Sequence, residues 1–224
     1  MIDVAFYTER ALPALNEGLL WSISLIIPSA IFGLLIGIVT GTIRAAGPMW
    51  LRKIGDLYAA LFRGTPLVMQ LMFIYYGLPN FGIYLEPYWA AVTGFMLCSG
   101  AYNSEYIRGA LLSIKRGQVL AAQALGFSTF RTMTCIIIPQ ALRRALPGCG
   151  NEIIYLIKYS SLAYVVTFME LTGEAKNLAT RSFRFTEVFL AVGMYYLFLV
   201  TIATWILHKV EKMSYIPGFT VKKD

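Results

Sequence analysis

Glu152 and Lys158 lie six residues apart in a run, Leu146–Met169, that carries no other charge. Inside a bilayer, a charge near the centre costs about 2.5–3.5 kcal/mol on insertion scales, so it must be paired or line a wet cavity. Counted along a helix from Arg144, Glu152 lies roughly 12 Å in and Lys158 roughly 21 Å in. Six residues turn a regular helix through about 240°, so the two cannot pair within one continuous helix. Either the helix is broken between them, or each faces a different partner. Pro147, Gly148 and Gly150 would loosen the start of the run, and Tyr159, Ser160 and Ser161 supply hydroxyls for an unwound turn. Irregular backbone at membrane depth is tolerated where it lines a cavity. This group can therefore hold a polar or charged solute. The structural alternative is a salt bridge between helices, for example Glu152 to Arg108.

Two further polar constellations interrupt apolar sequence. Arg63-Gly64-Thr65-Pro66 breaks a hydrophobic run that resumes, past Gln70, through Tyr76. Proline removes a backbone donor, so the break must face protein or water. Thr65 either satisfies a freed carbonyl or faces a solute. Glu105 and Arg108, at i and i+3, share one helix face and can simply pair. Other chemistries lack their residues. The chain has one histidine, His208, and three cysteines, Cys98, Cys135 and Cys149, with no CxxC pair, so no zinc constellation is present. The cysteines read as small reduced hydrophobes. There is no G-x-x-x-x-G-K-[ST] run, so ATP hydrolysis is not this chain's own chemistry. An intramembrane hydrolase would need an acidic pair that is missing.

The elements that position these groups are membrane spans. Hydrophobic residues make up 58% of the 224 positions and charged ones 14%, with a mean hydropathy of +0.64. A soluble domain carries roughly a quarter charged residues, so lipid must face much of this surface. Apolar runs at approximately 19–43, 57–79, 87–112, 146–169 and 187–207 are each long enough for a hydrocarbon core of about 30 Å. They predict an all-α integral membrane protein of five transmembrane helices, forming a single domain over 1–224. The first run holds Gly33, Gly37 and Gly41 at four-residue spacing, which lets two helices approach closely in lipid. The first eighteen residues hold Asp3, Glu9, Arg10 and Glu17, unlike a cleavable signal, so the first run is expected to serve as address and anchor. No internal repeat is visible.

The net charge of +7 follows topology and does not suggest a nucleic-acid partner. Arg44, Arg52, Lys53, Arg108, Lys115, Arg116, Arg131, Arg143, Arg144 and the tail lysines 209, 212, 222 and 223 alternate correctly to share one side. The other side carries only Arg10, Lys176, Arg181 and Arg184, diluted by acidic residues. Basic flanks mark the cytoplasm, so the N-terminus is expected outside and the C-terminus inside.

Residues 114–144 then form a long cytoplasmic loop. Gln118–Leu125 has good helix formers, with Ala121, Ala122 and Ala124 on close-packing positions, and Gly126 ends it as a C-terminal glycine ends helices. Ser128 can cap a second helix that Pro139 interrupts or kinks. With Phe127 exposed at the glycine elbow, the loop can fit another protein's groove. It can equally lie on the membrane surface and serve no partner.

The loop's order, G-Q-x-x-A-A-x-A-L-G followed by I-x-P-Q-A-L-R, resembles the coupling loop of binding-protein-dependent ABC importer permeases, specifically the polar amino-acid branch. Arg63-Gly64-Thr65-Pro66-Leu67 with Gln70, Ala101-Tyr102 with Glu105 and Arg108, Asn151-Glu152, and Lys158 with Ser160-Ser161-Leu162 carry the resemblance from about Gly18 to Glu211. Where the family usually has an acidic residue before the Ala-Ala pair, this chain has Leu120. The resemblance implies the type I ABC importer permease fold with a cytoplasmic coupling helix, in a bacterial inner membrane. It implies transport of a polar amino acid, Ser161–Tyr164 leaning toward basic ones. Implied substrate residues are Glu152, Lys158, Ser160, Ser161, Thr65 and Gln70, and implied ATPase-coupling residues are Ala121, Ala122, Leu125, Gly126 and Phe127. Implied partners are two cytoplasmic ABC ATPase subunits, a second permease subunit, identical or related, and an extracytoplasmic amino-acid-binding protein. No cofactor or metal is expected on this chain, ATP being used by its partners. The rival expectation is an ion-coupled secondary carrier with Glu152 and Lys158 as its relay, needing neither ATP nor a cytoplasmic partner.

Overall fold

A computed structural model describes residues 4–214, and every regular element among them is helical. Asp3, Lys222 and Lys223, which enter the charge count, lie outside the described residues. The first helix, α1, runs Leu12–Ala46 and extends a π-helical segment, Tyr7–Ala11. It passes Pro28 without ending. Helix α2, Met49–Gly64, stops where Thr65 and Pro66 turn extended, and α3, Leu67–Met72, begins beyond them. A π-helical segment, Phe73–Gly77, and a 3-10 turn, Leu78–Phe81, prolong α3. The two arms meet at 105°, so the residues expected to form a second span are sharply bent. Helix α4 covers Pro87–Leu112 and α5 covers Arg116–Ala124. A π-helical segment, Thr132–Ile137, leads into α6, Ile138–Tyr159. A 3-10 segment, Ser160–Val166, then α7, Leu171–Ser182, and α8, Phe185–Met213, complete the described chain.

Two of these helices, Tyr7–Ala46 and Phe185–Met213, are each long and apolar enough to cross a membrane, and the two bent pairs raise the number to four. Helix α4 differs because it packs largely inside the bundle. More than half of its residues are buried, Ser99, Asn103 and Ser104 among them. An internal helix does not need an apolar exterior, and its 26 residues give about 39 Å of length.

Helices α1 and α4 form the most extensive contact in the fold, and the glycine row makes it possible. A Cβ at Gly41 would sit 2.8 Å from the Ser104 carbonyl oxygen, and one at Gly33 would sit 3.0 Å from Ser99. Side chains larger than glycine would force the two backbones apart. Three apolar clusters then stack along the bundle. One joins Leu15, Leu171 and Val188, the next Leu25, Leu71, Phe95 and Leu156, and the last Ile107, Ile137 and Ala141.

Arg44 fastens one end of the bundle. It is only 7% exposed, and its stem lies over Gly55, where a Cβ would come within 2.7 Å. Its Nε donates to Asp56 at 2.8 Å, and its Nη1 to Glu105 at 2.6 Å and to Ser104 Oγ at 2.9 Å. Glu105 also pairs with Arg63 at 3.1 Å and with Arg108 at 3.3 Å. The network ties α1, α2 and α4 together next to the bend.

Candidate functional site

Helix α6 carries Glu152 inward with only 3% of its surface exposed. No salt bridge or hydrogen bond reaches this carboxylate among the described residues. Its electrostatic neighbours are Cys98, Tyr102, Tyr106, Cys149 and Tyr159. The expected alternative, a salt bridge to Arg108, is absent because Arg108 and Arg63 both spend their guanidinium groups on Glu105. A buried carboxylate in this position needs a cation from elsewhere or must take up a proton.

The backbone around Glu152 departs from expectation. Pro147, Gly148 and Gly150 do not loosen the helix, because α6 is unbroken from Ile138 to Tyr159. The glycines admit neighbours instead. A Cβ at Gly148 would come within 2.8 Å of the Tyr106 ring, and one at Gly150 would collide with Leu207 of α8. The change of backbone comes at Ser160, where the 3-10 segment starts. Since Glu152 and Lys158 share one continuous helix, they point apart. Lys158 is exposed and lies over the Tyr155 ring, 4.3 Å from its centroid. Ser160 and Ser161 turn their hydroxyls back onto the carbonyls of Ile157 and Lys158. The hydroxyls steady the end of α6 and keep spare acceptor capacity.

Thr65 and Gln70 close the chain break. Gln70 Nε2 donates to the Phe62 carbonyl at 2.8 Å and to the Thr65 carbonyl and hydroxyl at 3.0 and 2.9 Å. Thr65 Oγ1 in turn donates to the Leu61 carbonyl at 2.8 Å. Together they satisfy the backbone groups that Pro66 leaves open. The structure therefore gives both residues an internal role in holding the bend, with only Gln70 Oε1 buried and unpartnered.

The loop folds as a helix and a glycine elbow, with bounds one or two residues from those expected. Gly126 has φ +81°, the left-handed conformation glycine adopts without penalty. Its N–H donates to the Gln123 carbonyl at 2.9 Å, and the Phe127 N–H to the Ala122 carbonyl at 3.0 Å. The pair forms a helix C-cap. Ser128 Oγ accepts from the Arg131 N–H at 3.3 Å, capping the next turn. Leu120, Leu125, Phe127 and Phe130 are exposed on this elbow. Ala121 is exposed too, whereas Ala122 is buried at 2% and packs inward.

Sequence reasoning missed Arg44, counted there only as a flanking charge, and Asp56. It also missed Glu170, which caps α7 by accepting from Thr172 and Gly173 N–H at 2.8 and 3.0 Å. An acidic residue two positions ahead of Thr172 and three ahead of Gly173 was the available signal.

The class so defined is a helical membrane subunit with two bent helix pairs, an internal unpaired carboxylate and an apolar elbow between α4 and α6. Residues 18–213 match the family described as binding-protein-dependent transport system inner membrane component, and the chain belongs to that family. It is 37% identical over 204 residues to the glutamine transport system permease protein of Escherichia coli strain K12, covering 90% of this chain and 93% of the relative. It is 36% identical over 206 residues to the arginine transport system permease protein of Bacillus subtilis strain 168, covering 92% and 94%. A crystal structure of an amino acid ABC transporter with histidines superposes with TM-score 0.86 at 28% identity, covering 95% of this chain and 99% of that one. An inward-facing structure of the MetNI methionine ABC transporter, at 18% identity and TM-score 0.79, shares the fold.

Proposed function

We propose that this chain is the permease subunit of an ATP-driven importer of a polar amino acid. It crosses the inner membrane five times, with α4 as the internal crossing, its N-terminus outside and its C-terminus in the cytoplasm. The buried Glu152, with no partner among the described residues, carries this reading, because a cationic visitor would supply the counter-charge it lacks. The relatives named for glutamine and arginine transport support an amino acid as that visitor, its amino or side-chain cation meeting Glu152. Ser160 and Ser161 lie further along the same stretch to meet the rest of the cargo, whereas Lys158, which points away from Glu152, does not share that contact. The chain binds no cofactor of its own. One of two ATPase subunits docks on the elbow formed by Ala121, Leu125, Gly126 and Phe127, with Ala122 packed beneath it, the other on a second permease that completes the pathway, and an extracytoplasmic binding protein delivers cargo. ATP binding by the docked subunits favours one access state, and delivery selects for the same state.

Gly126→Asp tests this against an ion-coupled carrier. Any side chain at φ +81° is strained by roughly 1–2 kcal/mol, and the new charge enters an apolar surface. The variant is expected to stay in the membrane, lose the copurifying ATPase and lose ATP-dependent uptake. Undiminished ATPase attachment with intact uptake removes Gly126 from the docking surface, whereas uptake by the unmodified protein with no ATP and no copurifying ATPase sinks the importer reading.

Orientation has a cheaper test. A reporter active only outside the cytoplasm is expected to work when fused near Lys176 and to be silent near Arg116 or after Lys223. Activity at Arg116 reverses the whole arrangement.

A further inference from the structure

The two chain breaks are fastened to each other at one point, far from the coupling elbow. Tyr76 Oη donates to the Val165 carbonyl at 3.0 Å, and Thr167 Oγ1 donates to Tyr75 Oη at 3.1 Å. One side of this contact is the π-helical segment Phe73–Gly77 beyond the Thr65–Pro66 bend. The other is the end of the 3-10 segment that follows α6. The contact therefore joins the distal arm of the first bent pair to the end of the first arm of the second, Thr129–Val166, just before its 55° bend into α7. Thr167 sits at the junction with φ +62°, a left-handed conformation that a β-branched residue rarely adopts. Such outliers persist where the surrounding structure holds them and cluster at switch regions. Tyr76 and Thr167 are also exposed, and hydroxyls at such depth are placed toward water or protein in preference to lipid.

We propose that the paired bonds Tyr75–Thr167 and Tyr76–Val165 form the extracytoplasmic latch of the transport pathway, with Thr167 as its hinge. The inference rests on the importer reading and on its orientation, which put these arms on the outer side of Glu152. When the bonds hold, the outer approach to Ser161 and Glu152 is shut. When the arms part, Thr167 leaves its strained conformation and the approach opens. Strain at the hinge thus offsets part of the bonding that keeps the latch shut, which keeps the two states close in free energy.

The test uses the assembled complex in vesicles with the extracytoplasmic face outward, after replacing Cys98, Cys135 and Cys149 by alanine. A Ser161→Cys reporter is labelled with a membrane-impermeant thiol reagent. Adding Tyr75→Phe and Tyr76→Phe removes the acceptor of the Thr167 hydroxyl and the donor to the Val165 carbonyl, and labelling is expected to rise about tenfold at equal complex amount. A second arm holds the latch shut. Tyr76→Cys and Thr167→Cys are bridged by a bifunctional methanethiosulfonate, which is expected to lower uptake about tenfold or more until reductant releases it, with ATPase attachment unchanged. Unchanged labelling in the double phenylalanine variant, or uptake at the unmodified rate in the bridged complex, overturns the latch. If the phenylalanine variant assembles poorly, the bridged complex alone decides. Labelling reports access regardless of cargo, so failure of the latch is distinct from failure of the substrate reading, which Glu152→Gln reports.

Discussion

Glu152→Gln is expected to lower transport per assembled complex about ten- to a hundredfold while leaving the amount of complex normal. The figure follows from losing one charge-assisted hydrogen bond, about 1.5–3 kcal/mol, at a site that discriminates by binding. The change is nearly isosteric and removes a carboxylate that no arginine of this chain needs, since Arg63 and Arg108 are both engaged by Glu105. Assembly should therefore survive. The measurement is uptake of radiolabelled amino acid, normalised to permease that copurifies with its ATPase. Normal transport per complex together with poor assembly would make Glu152 a structural residue and remove it from the substrate path.

Glu105→Ala should show the opposite pattern, with poor assembly its first effect. Glu105 accepts from Arg44, Arg63 and Arg108, and Arg44 keeps only 6% of its side chain exposed. Truncating the carboxylate leaves a buried guanidinium with Asp56 and Ser104 as its remaining partners. Removing one partner of a buried ion pair is far more costly than never forming it. The loss is about 1.5–3 kcal/mol, because Asp56 still compensates part of the charge. Arg44→Met is expected to cost less, since Glu105 retains two arginines and Asp56 is half exposed. The two variants are compared by thermal stability of the detergent-purified complex. Equal losses, or a greater loss for Arg44→Met, would falsify the account of Glu105 as the hub.

The permease class and the coupling elbow were legible in the sequence because each rests on local rules. Helices end at Gly126 since only glycine takes the left-handed turn freely, and the run from Gln118 supplies helix formers whichever neighbours it meets. The glycine row of α1 likewise announced a close helix contact through spacing alone. Reading of α6 failed for a non-local reason. Pro147 and two glycines lower helix propensity, but Tyr106 and Leu207 pack against those glycines and keep the helix intact. Packing outweighs a propensity difference of about 1 kcal/mol per glycine.

The chain by itself determined its environment, its helical class and its family. Composition, apolar run lengths and motif order depend only on which residues follow one another. Tertiary structure decided how the polar groups are used. Glu105 and Gln70 are absorbed by partners at the two sides of a 105° bend, the serine hydroxyls turn back onto α6, and Glu152 is left without a partner among the described residues. The physical reason is that charge pairing inside a membrane is settled by which helices touch. Arg44 and Glu105 are separated by 61 positions and meet only because Gly37 and Gly41 let α1 lie against α4.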